Sequence, residues 1–371
     1  SGNDQFLERE MKCMKIAAFI EEPEILSGLS CEEEVNLYQR MKQESKADAL
    51  IAVICGNFRQ DGSWMQEAHD NRAEHLQKQG VDLVVELPVY CTLNTFDTYA
   101  FSAISTLEKL NCVDELLILC RGEEERIRKK ITQFLFKEPE NVACDDINSH
   151  AVEFGKAVKR LYSTMKVRFL SLNPFNGQEK PDENQLSSFE IRLWQELKKK
   201  LGEIEEQKRK QYLNEISGGY ALMTEKILEA YQNDAEMKVL DECLVTKKRS
   251  RGAIRRYFLR ALLGIRQVEI SICGLYSYAL YVNVAESISE KEIKQEYEFQ
   301  EARGMQMSDI VFNLVKKSSW IPVIVKNHSG ITNGSAAGKY TEGMEQLDES
   351  RNMLLSIEDR AEVLYKRLVE L

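Results

Sequence analysis

The chain has 371 residues, 43% of them apolar, and carries 60 acidic against 50 basic side chains for a formal net charge of −10. That balance excludes a protein that coats nucleic acid indiscriminately, while leaving room for a local basic face. No apolar run approaches the ~18 residues that a membrane span needs, and the length allows two or three domains, each with its own core.

Near the start, Phe6-Leu7 is followed by Glu8, Arg9 and Glu10 rather than by an apolar stretch, so no signal peptide is expected and the expected location is cytoplasmic. Nine cysteines, none in a CxxC pair, read as reduced core thiols, and no metal site is expected.

In chain order, Lys15 to Ile20 predicts the first strand. A loop from Glu21 to Ser30 leads into a helix from about Cys31 to Lys46, with Ser30 and Glu33 spaced as a capping box. Ala49 to Ile54 and Val81 to Leu87 are unbroken apolar runs that read as buried parallel strands. Gln66 to Lys78 between them is free of Gly and Pro, so the stretch is a βαβ crossover. Ligands of open α/β sheets bind beyond the carboxyl ends of the strands, which places Cys55-Gly56-Asn57-Phe58 at a binding edge. On the crossover helix, His69 and His75 fall on different faces and read as solvated residues rather than as a metal pair.

Further on, Thr95 to Leu110 reads as a helix, Glu115 to Leu119 as a strand, and Glu123 to Phe136 and Val152 to Thr164 as charged amphipathic helices. Ser171 to Asn184 has no period and reads as a loop. Ser187 and Ser188 precede a Glu-rich helical stretch that also holds Arg192. They are either an N-cap or a phosphate cradle at a helix start. Trp194 to Gln232 is helical by composition, so a domain boundary is expected near residues 190 to 200. From Lys247 to Arg260 seven basic residues occur without an acid. Ile254, Phe258, Ala261, Leu262 and Ile265 recur there on one helix face, which predicts that Arg251, Arg255 and Arg256 point outward. Gly334 to Tyr340 lacks the glycine spacing of a P-loop and reads as a loop.

The segments CGNFRQDG and GVDLVVELP resemble the paired signatures of the tRNA(Met) cytidine acetate ligase family, within the HIGH-type nucleotidyltransferases. Gly56, Asn57, Phe58, Gln60, Gly62, Gly80, Asp82, Glu86 and Pro88 fit the pattern, and Cys55 and Asp61 depart from it. The run from Lys247 through Ile265, and the segments Ala302 to Met305 and Leu314 to Ile324, are similar to later family motifs. Leu186 to Arg192 is similar to a superfamily phosphate-binding segment. Around the first loop, Glu21, Pro23 and Gly28 fit the family frame, but neither histidine of the HxGH motif has a counterpart. Glu24, Glu32, Glu33 and Glu34 instead put negative charge where a triphosphate would sit. His69 stands where the family has a Lys, which is expected to weaken a phosphate site further.

The resemblance implies a Rossmann-like HIGH-nucleotidyltransferase α/β domain with a parallel sheet over residues 11–195, followed by a mainly helical C-terminal domain over 196–371 that carries a basic helix. It implies ATP and Mg²⁺ as cofactors, activation of acetate to acetyl-adenylate, and acetyl transfer to the wobble cytidine of elongator tRNA(Met). Gly56, Asn57, Arg72, Ser187, Ser188 and Arg192 are the expected nucleotide contacts. Lys247, Lys248, Arg249, Arg251, Arg255 and Arg256 are the expected RNA contacts, and the catalytic residues stay unassigned. Catalysis of this kind is positioning plus stabilisation of phosphate charge, and losing one preorganised donor costs ~10²–10³ in rate. Two readings stay open: a divergent ligase of reduced or lost activity, and a degenerate paralogue serving as an RNA- or protein-binding module.

Overall fold

The computed structural model describes residues 14–26, 29–122, 125, 129, 148–172, 187–246, 249–273, 279–283, 307–321, 323–327, 340–342 and 349–369. Four apolar runs become the centre of one sheet: β1 (Ile16–Ile20), β2 (Ala49–Cys55), β3 (Leu83–Leu87) and β4 (Glu115–Arg121). Every residue of these strands is buried, as parallel strands covered on both faces must be. Alternate residues serve opposite faces. Phe19, Leu50, Ala52, Ile54 and Val84 pack on α1 (Cys31–Ser45) and α2 (His69–Lys78), which contribute Leu37, Tyr38, Met41, Ala73 and Leu76. Ile16, Ala18, Ile51, Val53, Val85 and Ile118 pack on α3 (Phe96–Leu110) and α4 (Ser149–Arg160). Each such side chain, fully buried, contributes roughly 1.5–3 kcal/mol.

The sheet is larger than the sequence suggests, with eight strands in the order β5-β4-β1-β2-β3-β6-β7-β8. Strand β5 (Lys166–Leu172) pairs parallel with β4 through all seven of its residues. It escapes a periodicity reading because only Leu170 and Leu172 are buried in its run KVRFLSL. Beyond β3, β6 (Ala279–Asn283) pairs antiparallel, β7 (Val323–Asn327) parallel to β6, and β8 (Tyr340–Glu342) antiparallel to β7. The half after residue 196 is helix-rich, yet it returns three strands to the first half's sheet. The helix expected at Glu123 to Phe136 lies outside the described residues, apart from Glu125 and Lys129.

The helical part comprises α5 (Ser188–Glu203), α6 (Glu206–Glu215), α7 (Ala221–Gln232), α8 (Met237–Leu244), α9 (Arg251–Leu263), α10 (Gln267–Cys273), α11 (Met307–Ser318) and α12 (Glu349–Val369). Helix α9 is its core. Ile254, Tyr257, Phe258, Leu259, Ala261 and Leu263 are all buried, and Phe258 lies 6.0 Å from Trp194 of α5. The outward arginines expected here are a correction. Arg251 pairs with Asp241 at 2.6 Å, and Arg255 with Glu190 at 3.1 Å and Asp61 at 3.7 Å. Arg256 donates to the Gln60 carbonyl at 3.3 Å. A helix buried on nearly all sides leaves no outer face, so its cations meet acids brought from elsewhere.

At the amino end of the sheet, Glu115 ties three segments together. Its carboxylate meets Lys15 Nζ at 2.7 Å and Arg168 Nε at 2.6 Å. Burial pushes the Glu115 carboxyl up, but its hydrogen bonds and charge pairing with Lys15 and Arg168 outweigh that and hold it below its ordinary value of 4.5. A carboxyl depressed in the folded state adds stability above its unfolded value, and that stability is lost as pH falls through the folded one. Glu115→Gln should therefore lower the melting temperature at pH 7, and the gap from the parent should shrink below about pH 4.5. Thermal melts across that range check it.

Candidate functional site

At the carboxyl ends of β1 to β3 the chain builds a buried polar cluster. Glu86, in the otherwise apolar run of β3, is 2% exposed and must find a partner. That partner is His69, whose Nδ1 lies 2.5 Å from Glu86 Oε2 while its Nε2 lies 3.3 Å from Asp70. The reading of His69 as solvated is thereby corrected: it is buried, because a carboxylate inside a strand end has to be answered. His75 is half-exposed and pairs with Glu34 at 3.3 Å. Gly56 is required by the same carboxylate, since a Cβ there would lie 2.8 Å from Glu86 Oε1. Asn57 Oδ1 accepts the His69 N–H at 3.1 Å, capping α2 from twelve residues upstream.

Arg72 is buried and turned inward. It donates to the Cys55 and Gly56 carbonyls and meets Glu21 at 3.2 Å, joining the ends of β1 and β2. Burial raises the Glu21 carboxyl, and the Arg72 charge opposes it. Burial likewise pushes the Cys55 thiol up to about 12, so it is a core thiol and not a nucleophile. Cys91 and Cys120 are also buried, whereas Cys31 and Cys243 are exposed.

The first loop is apolar where the family frame has phosphate ligands. Residues Pro23–Leu26 form one helical turn whose Ile25 and Leu26 are buried in the core, and Leu29 packs against the same cluster. Arg121 donates to the Ile25 carbonyl and fastens this turn to β4. Ser27 and Gly28 lie outside the described residues. At the start of α1 the expected capping box is present, with Ser30 Oγ accepting from Glu33 and the Glu33 carboxylate accepting the Ser30 N–H at 2.7 Å. Glu32, Glu33 and Glu34 fill its first turn, where their charge complements the helix dipole and repels an anion.

Ser187 caps α5 in a second capping box, with its Oγ accepting from the Phe189 N–H at 3.3 Å and Glu190 accepting the Ser187 N–H at 3.0 Å. Ser188 is exposed. Arg192 donates to the Leu368 carbonyl at 2.5 Å and lies 5.9 Å from the Trp64 ring, which contacts Phe189 at 4.4 Å. The loop after β2 thus connects the two halves. Gly62, at φ +78°, sits against α9 so closely that a Cβ would meet the Arg256 N at 2.7 Å. Asp61 beside it is pushed up by burial, but Arg59, Arg255 and Ser63 outweigh this and hold it low. Tyr365 of α12 donates to the Met65 carbonyl at 2.9 Å.

Of the expected nucleotide contacts, Gly56, Asn57 and Arg72 therefore stand in one cluster, occupied by internal partners; Arg192 lies beside Trp64, which bridges Phe58 in the loop after β2, and Ser187 is used in capping α5. Of the expected RNA contacts, Lys247 and Lys248 lie outside the described residues. Arg249 covers the Tyr220 ring at 4.4 Å. Site prediction from the sequence passes over Glu86, Glu21 and Asp61, although a lone Glu inside an apolar strand was the signal for Glu86.

The parallel strands β1 to β5, covered by helices on both faces, form a Rossmann-like α/β unit, and residues 36–178 match the family model HIGH Nucleotidyl Transferase. Among curated relatives, the tRNA(Met) cytidine acetate ligase of Thermoanaerobacter sp. (strain X514) is 34% identical over 101 residues, 27% of this chain and 25% of that protein. That of Caldanaerobacter subterraneus subsp. tengcongensis is 37% identical over 97 residues, 26% of this chain and 24% of that protein. The matched stretch spans about a quarter of the length of these relatives. By fold the likeness runs further. A crystal structure of Thermotoga maritima TmcAL bound with alpha-thio ATP superposes with a TM-score of 0.64 at 15% identity, covering 96% of this chain and 95% of that one. The apo form gives 0.65. No described helix is long and apolar enough to cross a membrane.

Gly56→Ala should cost roughly 1–3 kcal/mol, because the Cβ displaces a carboxylate pinned by His69. Gly202→Ala, inside α5 with its nearest contact at 3.5 Å, should instead stabilise. Chemical denaturation of both variants checks the contrast.

Proposed function

We propose that the chain is a divergent tRNA(Met) cytidine acetate ligase-like nucleotidyltransferase in which ATP-dependent activation of acetate is reduced or lost. The observation that carries this is the first loop: Ile25 and Leu26 are buried as core, and three glutamates open α1. A triphosphate needs donors and positive charge there. Two like charges 4 Å apart near a protein surface repel by about 4 kcal/mol, so each carboxylate facing the phosphates weighs heavily. The residues of this loop do not fit ATP with Mg²⁺, and no catalytic step is routed through them. His69 does not add to the argument, since its ring is spent on Glu86.

Calorimetric titration with ATP and Mg²⁺ should show no binding tighter than about 1 mM, and acetate should release no pyrophosphate. A low-micromolar dissociation constant would overturn the reading.

The partner that fits the basic segment before α9 is tRNA. Because Arg251 and Arg255 hold Asp241 and Glu190, the tRNA reading is tested at Lys247 and Lys248. Lys247→Glu with Lys248→Glu should weaken tRNA binding in a gel-shift assay, with a parental salt slope of roughly −2 for about two phosphates. Arg255→Glu should instead destabilise the fold by about 3–5 kcal/mol, since Glu190 is left buried without its counter-charge and faces a second carboxylate. Equal tRNA binding by the double lysine variant and its parent would remove tRNA from this segment.

A further inference from the structure

Helix α4 ends in a Schellman turn: the Tyr162 N–H bonds the Lys159 carbonyl and the Ser163 N–H bonds the Val158 carbonyl, both at 3.2 Å. Its left-handed position, at φ +50°, is one that favours glycine, yet a tyrosine occupies it and is 91% exposed. Neither packing nor backbone preference accounts for an aromatic there, and such outliers gather at functional positions. Across the carboxyl end of α3 stands a second exposed aromatic, Trp320, at 64%. Its N–H bonds the Lys109 carbonyl at 2.8 Å, and the Lys109 ammonium lies 5.4 Å from its ring. Ser163 bonds Glu108 on one side of α3, and Asn111 donates to the Ser318 carbonyl on the other, so both aromatics are anchored to the same helix end. At this helix end lies a cavity of about 500 Å³ whose lining includes Leu107, Glu108, Asp114, Met165, Leu314 and Lys317.

The two segments that carry the aromatics are basic although the chain is acidic. No acid occurs between Glu153 and Glu179, a stretch holding Lys159 and Lys166, nor between Asp309 and Glu342, which holds Lys316 and Lys317. Two acids line the cavity itself, Glu108 bonded by Ser163 and Asp114 by the Ile16 N–H, while Glu115 is paired with Lys15 and Arg168. Exposed aromatics interleaved with lysines are what single-stranded nucleic acid uses, the rings stacking bases and the ammoniums tracking phosphates.

We propose that this end of the sheet, opposite the strand-end loops, is a site for single-stranded RNA. Bases stack on Tyr162 and Trp320, and phosphates meet Lys109, Lys159, Lys166 and Lys317. The proposal is independent of whether the nucleotide site or the segment around Lys247 is functional.

Fluorescence anisotropy with fluorescein-labelled decauridylate at low salt tests it. The parent should bind, with a log–log salt slope of about −2 if about three phosphates are met. Trp320→Ala and Tyr162→Gly should each weaken binding roughly five-fold or more, the loss of one stacked base. Tyr162→Gly should keep or raise the melting temperature, because glycine adopts the left-handed turn freely. The proposal is overturned by any of three results: no parental binding at low salt, unchanged binding by both aromatic variants, or a fall in the Tyr162→Gly melting temperature that accounts for its loss.

Discussion

A single buried carboxylate, Glu86 at the end of β3, sets the conditions for the region around it. Taking a carboxylate out of water is costly unless it is paired and hydrogen-bonded, and His69, 2.5 Å away, supplies the pairing. Its volume leaves no room for a Cβ at residue 56, so the turn after β2 must be glycine. The backbone N–H of that same His69 is taken up by Asn57, which fixes where α2 begins. Strand end, turn and helix start are therefore one polar unit, and Arg72 extends it to Glu21 of the neighbouring strand end. The loop that follows is held rigidly enough to serve as the seat on which α5, α9 and α12 rest.

Charge inside the helical half obeys the same rule. Helix α9 carries basic residues through a buried position, and each described arginine of its first two turns is met by a carboxylate or carbonyl from another segment. The acids that answer them are remote in sequence: Asp241 belongs to α8, Glu190 to α5, and Asp61 to the loop after β2. A local reading sees seven basic residues without an acid and infers a solvated face. The pairing is visible only once the fold has brought those segments together. Arg255 thus acts on cohesion between the two halves through Asp61 and Arg251 on cohesion within the helical one, and mutating them to probe RNA binding would confound affinity with stability.

The parts legible in the sequence were those with one local cause. Two continuous apolar runs about a helix without Gly or Pro could only be a buried βαβ unit, and Ser30 with Glu33, and Ser187 with Glu190, formed the capping boxes that their spacing specifies. Strand β5 was not legible because an edge strand with two buried residues has no strong period. Strands β6 to β8 were not legible because their reason for being strands is an existing sheet edge at β3, far away in the chain. Of the site, glycine and asparagine at 56 and 57 were found correctly as a strand-end loop, but what they contact is internal. Their pattern is equally well explained by the demands of Glu86.

That last point bears on what divergence means in this chain. A histidine at position 69 looks like a weakened phosphate site if the side chain faces ligand, and like a retained counter-group if it faces Glu86. With the ring 2% exposed and bonded to two carboxylates, the second holds. The departure then lies in one segment, from the turn at Pro23–Leu26 to the first turn of α1, where apolar side chains are buried and acids collect. Everything behind that segment, from the capped α2 to the inward Arg72, is intact as scaffold. The strand ends are tied to one another by Arg72 with Glu21 and by His69 with Glu86, so the chain's own ion pairs, and not a nucleotide, hold them together.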